Sequence, residues 1–482
     1  MRVPADGATL TRLARVVDDR YGVVRRVAVH DVGPTDPPLF FATAELASTR
    51  AFSDAAASAL NGGAGVDAAT AVVGALGEAI ERYAIGIYRD SELTRAPFRA
   101  VEGDALDPRR LIFYADEQYT WPDFPYTQYD VDVPLTWVRG IGLVDGRERL
   151  VPACRVYTPY CAVAPAQRIL QSTSTGAACH ASPATAALAG LYECIERDAV
   201  MIAWLNRFPL PTVDVSRLQE PHLRVVLDGL RDRGLTGLLF DATSDLGIPT
   251  ALALVLGPPG TVPALAVGAA TRATLGAAAE KALVEGAHTF FWVHTRSRER
   301  GLRAFRADYA DVRSLDAHSL LYGHPHMRAA FAFLLERATE PVSGTSIQRS
   351  PAGRVDASLA ARVDDAPPGR VGDPPAASTN GDTGAAPDRA EGCAVDVELA
   401  RCVAQLAAAG IEPVAVDVTP DDVRDLGFTA VRVVATDLHP LWGGHHVRCL
   451  GGRRVREVPV RLGYRASAPE VADFNPDPHP MP

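Results

Sequence analysis

Asp67-Ala68-Ala69-Thr70-Ala71-Val72-Val73-Gly74-Ala75-Leu76-Gly77-Glu78-Ala79-Ile80-Glu81-Arg82-Tyr83 is a pattern that the chain writes again at Ser182 to Ala199 and, in altered form, at Thr274 to Phe290. The second copy ends on Glu193, Glu196, Arg197 and Asp198, and the third carries Lys281, Glu285 and His288. Each copy sets a capping residue, Asp67, Ser182 or Thr274, eleven positions before its first shared glutamate, with alanines filling much of the interval. Such a cap accepts from a free backbone N–H of the first turn, and alanine favours the helical backbone, so the spacing predicts three helices. Glu78 and Glu81 are three apart and Glu78 and Arg82 four apart, which brings all three heads together on a helix surface. Like charges gathered on an otherwise apolar helix are costly and call for positive compensation.

The 482 residues leave room for two or more domains and a large core. A hydrophobic content of 47% and a charged content of 22% describe an ordinary soluble globular protein. A net charge of −10 argues against a nucleic-acid binder, which would show a basic stripe. Met1 to Asp6 hold no apolar signal run, and the apolar stretch Ile248 to Ala270 is cut by four prolines. Neither export nor a membrane span is expected, and the location expected is cytoplasmic. Seven scattered cysteines, an odd number without close pairs, fit a reduced compartment and give no zinc signature. Lys281 is the single lysine; the other long basic side chains are arginine.

Along the chain, residues 1–60 read as a strand-rich N-terminal segment, with Val23 to Val29 as a first strand. Residues 61–340 form the first part of a core holding the three repeat helices. Within it, Asn61-Gly62-Gly63-Ala64-Gly65 reads as a loop feeding the first helix, and clustered glycines there can bring amides close to an anion. Residues 91–170 read as strand-like, with a hairpin centred on Asp145-Gly146. Strands are expected near 236–240, 250–256 and Ala264 to Gly268. Residues 341–392, rich in proline, glycine, alanine, serine and aspartate, read as a disordered insertion without chemistry. Residues 393–482 complete the core with a helix (Val397 to Ala408) and two strands (Pro413 to Val418, Ala430 to Ala435), ending on Pro478-His479-Pro480-Met481-Pro482.

A single Glu-x-x-Glu-Arg most often marks a solvated helix face with its own ion pair. Two full copies and a third bearing Lys281 and Glu285 read differently. Repeated strand–helix units pack around a common axis, which gathers Glu78, Glu81, Glu193, Glu196 and Glu285 with Arg82, Arg197 and Lys281 in one cleft. Hard oxygen ligands in that number suit Mg²⁺, which carboxylates usually hold together with substrate phosphates, and arginines supply phosphate donors. The expectation is a nucleotide site without a Walker loop, since no Gly-x-x-x-x-Gly-Lys-Ser/Thr run exists.

Gly74 to Tyr83 and Leu191 to Ala199 resemble the two signature segments of the YcaO superfamily, and the resemblance runs from about residue 20 to the last residue, the insertion excepted. It implies an α+β fold of repeated strand–helix units around a central nucleotide and metal cleft, with ATP and Mg²⁺ as cofactors. By the same resemblance Glu78, Glu81, Glu193, Glu196 and Glu285 hold metal, while Glu81, Arg82, Thr175, Glu196, Arg197 and Lys281 face the nucleotide. The tail is similar to the Pro-x-Pro-x-Pro terminus of the azoline-forming cyclodehydratases, which makes the carboxylate of Pro482 the candidate catalytic base; the bland alternative is a frayed terminus. The chain departs from the family pattern at Ala64, Ala75, Thr175, Lys281 and His288, which thins the nucleotide-facing polar groups.

The activity implied is ATP-dependent conversion of Cys, Ser or Thr in a ribosomally made precursor peptide into thiazolines or oxazolines. Two alternatives stand beside it: amide activation by another nucleophile, giving thioamides or amidines, and a degenerate scaffold supporting an active partner. About 60 residues before the first repeat are too few for a ubiquitin-activating-enzyme-like domain, so a separate leader-peptide-binding partner of that kind is expected. A flavin dehydrogenase and a second copy of the chain, as a homodimer, complete the expected partners.

Overall fold

The computed structural model describes residues 7–52, 55–338 and 386–482. A short opening helix, α1 (Gly7–Ala14), precedes strands β1 (Val24–Val29), β2 (Phe40–Leu46) and β3 (Leu60–Gly65), which form an antiparallel sheet in that order. β3 runs directly into α2 (Ala68–Ile85), the first repeat helix. Next come β4 (Thr94–Pro97), β5 (Pro134–Gly142), β6 (Glu148–Pro152) and β7 (Ala177–His180), the last feeding the second repeat helix, α3 (Pro183–Asn206). After α4 (Pro221–Asp232), strands β8 (Thr236–Asp241), β9 (Thr250–Leu256) and β10 (Leu265–Thr271) form a second three-stranded antiparallel sheet, and β10 leads into α5 (Leu275–Arg300). The chain closes with α6 (Leu315–Tyr322), α7 (Ala386–Ala408), β11 (Pro413–Asp417), β12 (Thr429–Ala435) and α8 (Arg454–Arg461).

All three expected caps are in place: Asp67 Oδ1 accepts from the Thr70 amide at 2.7 Å, Ser182 Oγ from Thr185 at 3.4 Å, and Thr274 Oγ1 from Ala277 at 3.2 Å. Small residues set how closely each helix lies on its strand. A Cβ on Gly63 would come within 2.1 Å of the Ala71 carbonyl oxygen, and one on Gly268 within 2.1 Å of the Gly286 amide nitrogen. The glycine run at 61–65 is therefore not a loop but the strand β3, and its glycines admit α2 rather than an anion. β9 shows the two-residue alternation of a strand buried on both faces: Leu252 and Leu254 enter one core, while Ala251, Ala253 and Val255 meet α5 in another.

The middle sheet runs β4-β5-β11-β12-β7, with β6 paired to β5. The Asp145-Gly146 hairpin joins β5 to β6 as expected, with Gly146 at φ +69°. Residues 98–133 do not continue the strands; they form short helical turns and loops. Their aromatics pack on one another instead, with Tyr114 stacked 5.1 Å from Tyr126 and edge-on to Phe124 at 5.0 Å. Most of the segment expected to be disordered lies outside the described residues; its last residues, from Ala386, already belong to α7.

α3 is fixed by a buried ion network. Asp198, 0% exposed, receives the Arg454 guanidinium through Nε at 3.0 Å and Nη2 at 2.7 Å, while Nη2 also reaches Asp245 at 2.7 Å. The His439 amide donates to the same Asp198 at 2.8 Å. Removing one partner leaves a buried charge uncompensated, which costs about 3–5 kcal/mol. Asp198→Ala should therefore lower unfolding free energy by on the order of 3 kcal/mol, Asp245 retaining part of the Arg454 charge; denaturant titration measures it, and a loss under about 0.5 kcal/mol would show the network to be dispensable.

Candidate functional site

The three repeat helices present one arrangement three times. Arg82 pairs with Glu78 at 3.2 Å, Arg197 with Glu193 at 3.4 Å, and Lys281 with Glu285, each at i,i+4. In the first two repeats the glutamate also accepts from a backbone amide of the preceding segment: Gly62 donates to Glu78 Oε2 at 3.0 Å and Gly176 to Glu193 Oε2 at 2.9 Å. Gly62 has a second constraint, because a Cβ there would lie 2.5 Å from the His288 ring. That ring belongs to the third helix, so the first and third repeats meet at this point.

The cleft is electrostatically continuous. Burial pushes Glu81 up to about 8; Arg82 opposes the push, and Glu78 and Glu193 add to it. Burial likewise raises Glu196 to about 7, against Arg197 and Arg272 and with Glu193 and Glu285. Glu285 goes the other way, down to about 2, because Lys281, His288 and Arg197 overcome its desolvation. Glu78 and Glu285 keep about a third of their side-chain surface exposed, so the cleft opens to solvent although protein surrounds its carboxylates. Glu81 accepts only from the Cys179 amide, at 3.1 Å, and has no cation within ion-pair distance among the described residues. Glu196 is held by Arg197 Nη1 at 3.1 Å.

The eight charged residues singled out in the three repeats therefore share one cleft. Thr175 sits at its edge, beside Gly176, lining a small cavity with Arg155 and Arg432. Pro482 is exposed, but the residues before it are packed inside, in contrast to a frayed terminus. Met481 is 1% and His479 0% exposed. His479 donates through Nε2 to the Trp442 carbonyl at 2.7 Å, and its own carbonyl accepts from His318 Nδ1 at 2.7 Å. The two imidazoles stack with centroids 3.8 Å apart, Tyr322 bonds the Pro478 carbonyl, and Asn475 donates to Leu205 at 2.7 Å.

Sequence reasoning missed these supports. Arg432 had a signal, a charge inside the apolar strand Ala430-Val431-Arg432-Val433-Val434; the His318–His479 stack, joining residues 161 positions apart, had none.

An α+β protein whose three repeats share one carboxylate-rich centre is the class that fold and cleft define. A family model described as YcaO cyclodehydratase, ATP- and Mg²⁺-binding, matches residues 62–439, and the chain belongs to that family. An uncharacterized protein of Methanothermobacter thermautotrophicus is 27% identical over 304 residues, covering 62% of this chain and 73% of its own length. A solved heterocyclase in complex with substrate and cofactor is 20% identical with a TM-score of 0.73, covering 98% of this chain and 56% of that one. The YcaO protein from Methanopyrus kandleri, bound with AMPPCP and Mg²⁺, is 19% identical with a TM-score of 0.57, covering 91% of each chain. The chain thus spans little more than half of the heterocyclase; at these identities both structures establish the shared fold.

The family's cofactors, ATP and Mg²⁺, fit the residues present. Glu81 has no ion-pair partner among the described residues, and burial holds Glu81 and Glu196 above the usual carboxylate range, a condition that a divalent ion relieves. Among the described residues no three His, Cys, Asp or Glu side chains form a metal cage. Nucleotide phosphates would therefore complete the coordination of any Mg²⁺ that these carboxylates meet. Among the described residues no helix is long and apolar enough to cross a membrane.

Burial of the histidine stack ties the expected folding stability to pH. Burial pulls His318 down to about 4 from its ordinary 6.5, and His479 well below it. A depressed histidine contributes stability that is present above the ordinary value and is lost as pH falls toward the folded one. For His318 alone the loss between pH 7 and pH 5 is about 2 kcal/mol. Denaturant titrations at both values should show a smaller drop in His318→Phe than in wild type, and equal drops would remove His318 from the account.

Proposed function

We propose that this chain is an ATP-dependent cyclodehydratase that forms thiazolines or oxazolines from Cys, Ser or Thr of a ribosomally made peptide. The observation that carries the reading is the convergence of three helix-borne glutamate–cation pairs on a cleft with surplus negative charge, in a chain of the YcaO family. Glu78, Glu81, Glu193, Glu196 and Glu285 would hold Mg²⁺, with Arg82, Arg197 and Lys281 toward the phosphates and Thr175 beside them. When bound, Mg²⁺ neutralises charge on the transferring phosphoryl group.

In this reading the peptide thiol or hydroxyl adds to the carbonyl carbon of the preceding amide. The oxyanion takes the γ-phosphoryl of ATP and leaves as phosphate, carrying the amide oxygen away. That addition closes the five-membered ring, and the carbon–nitrogen double bond forms within it as phosphate and the amide proton depart, leaving ADP and phosphate. Arg82, Arg197 and Lys281 spread the charge that develops on the phosphoryl oxygens. The proton acceptor in the same reading is the carboxylate of Pro482, on a segment that His318, Tyr322 and Trp442 hold in place. A separate leader-peptide-binding protein delivers the substrate, and a flavin dehydrogenase acts on the product.

Glu78→Gln and Glu193→Gln test the reading with the fold kept. A glutamine oxygen still accepts from the Gly62 or Gly176 amide, while the negative charge is gone. Each should cut peptide-dependent ATP consumption at least about 100-fold, as loss of electrostatic stabilisation does. Turnover near wild type, with an azoline mass loss intact, would refute the shared site.

A second test uses the raised carboxyls. Binding of Mg²⁺ with AMPPCP should release protons and tighten as pH rises from about 6 to about 8, because Glu81 and Glu196 must ionise to meet a cation. Calorimetry in buffers of different ionisation heat counts the protons. No release would mean that neither carboxylate meets the ion.

A further inference from the structure

Beside the contact between the Gly176 amide and Glu193 lies a small cavity of about 30 Å³ with one charged wall and one apolar wall. One water needs roughly 10–15 Å³, so the space suits two waters or a single small oxyanion. Arg155, Thr175, Cys194, Arg432 and His439 form its polar wall, Val433, Val434, Ala435, Leu438 and Pro440 its apolar one, and among the described residues no carboxylate lines it.

Two guanidinium groups are buried here with no ion pair among the described residues. Arg432 is 2% exposed; its Nε donates to the Arg155 carbonyl at 3.0 Å and its Nη2 to the Thr173 carbonyl at 2.6 Å, while Nη1 has no partner among the described residues. Arg155 is 8% exposed, rests its guanidinium 5.8 Å over the Phe113 ring, and forms no ion pair among the described residues. Burial is what most disfavours the Arg432 charge; the positive charges of Arg155 and Arg82 add to that, and Cys194 and Glu193 oppose it. Both Glu193 oxygens are already engaged, one by Gly176 and one by Arg197. His439 gives its Nε2 proton to the Cys449 carbonyl, at 3.1 Å, and burial holds the ring neutral, so it adds no charge of either sign.

A purely structural role for Arg432 accounts for two of its donors, which tie the segments at 155 and 173 to β12. It leaves Nη1 idle and sets a second cation beside the first, an arrangement that buried charges avoid unless an anion pairs with them. Guanidinium donors match the edges of oxyanions, and a dianion would neutralise both arginines at once.

We propose that Arg155 and Arg432 form a binding site for one tetrahedral oxyanion of the phosphate class, adjoining the carboxylate cleft through Thr175 and the Gly176–Glu193 contact. The site stands on these residues alone and does not depend on which amide chemistry the cleft performs. Its occupant is free inorganic phosphate or a phosphoryl group of a bound nucleotide.

Calorimetric titration of the full chain with inorganic phosphate, without nucleotide or metal, tests the site. Wild type should bind one phosphate and unfold at a higher temperature in its presence. Arg155→Gln should bind at least about tenfold more weakly, as loss of a charge-assisted contact predicts. Its phosphate-free unfolding temperature should be unchanged or higher, because one of two facing cations is gone. Arg155→Lys, which keeps the charge as a point, should fall between the two. Repeating the titration with Mg²⁺ and AMPPCP separates the sources: competition assigns the site to the nucleotide, independent binding to free phosphate. Wild type that fails to bind phosphate at millimolar concentration overturns the site, as does a folded Arg155→Gln that binds as well as wild type.

Discussion

Too much negative charge in one place is the constraint on which this structure depends. Five glutamates from three helices share a cleft in which only Glu78, Glu193, Glu196 and Glu285 have a cation partner among the described residues. Packing against their own strands holds these helices in place, at contacts as close as the Gly63 approach to Ala71 allows. The same closeness lets the Gly62 and Gly176 amides meet Glu78 and Glu193, so two of the charges are solvated by backbone rather than by water. Apolar packing and charge stabilisation are thus one geometric condition.

The second helix carries most of the burden. Its buried stretch runs from Ala186 to Asn206 with few breaks, and Asp198 lies one residue beyond Arg197. One face of α3 holds the cleft while the opposite side is clamped through Arg454, a residue 256 positions away in sequence. Arg454 thus anchors the helix that carries Arg197 and Glu193. The tail draws on the same helix: Trp204 donates to the Asp477 carbonyl at 3.3 Å, and Asn475 donates to the carbonyls of Leu205 and Trp204. Helix, clamp and tail are coupled through α3.

What could be read from the sequence was what is local. Caps, alanine bodies and i,i+4 pairs depend on neighbours within one helix, and Asp67, Ser182, Thr274 and the three glutamate–cation pairs stand where spacing put them. Readings failed where partners are distant. Asn61 to Gly65 has the composition of a loop, yet a facing strand at Phe40–Leu46 and a helix above it make it β3. The aromatics at 113–129 have strand-like composition, but they pack on each other and leave no ladder. Arg155, Arg432, His318 and Asp198 take their meaning from residues hundreds of positions away or across a sheet, which no periodicity encodes.

The order of the middle sheet explains why those distant residues gather behind α3. The first and third repeats each bring a complete three-stranded sheet ahead of their helix, built from contiguous chain. The second does not. β7, the strand that feeds α3, has β12 as its neighbour, with Thr429 to Arg432 opposite Ala177 to His180, and β12 arrives about 250 residues later. Until residues 413–435 fold back between β5 and β7, the strand ahead of α3 lacks that partner and Arg432 is not beside Thr173. Closing the sheet in this way carries a charged side chain into the interior, where burial is costly and the field of Glu193 offsets part of it. The two backbone carbonyls that receive Arg432 offset part of that cost, and what remains is the positive cavity beside the cleft.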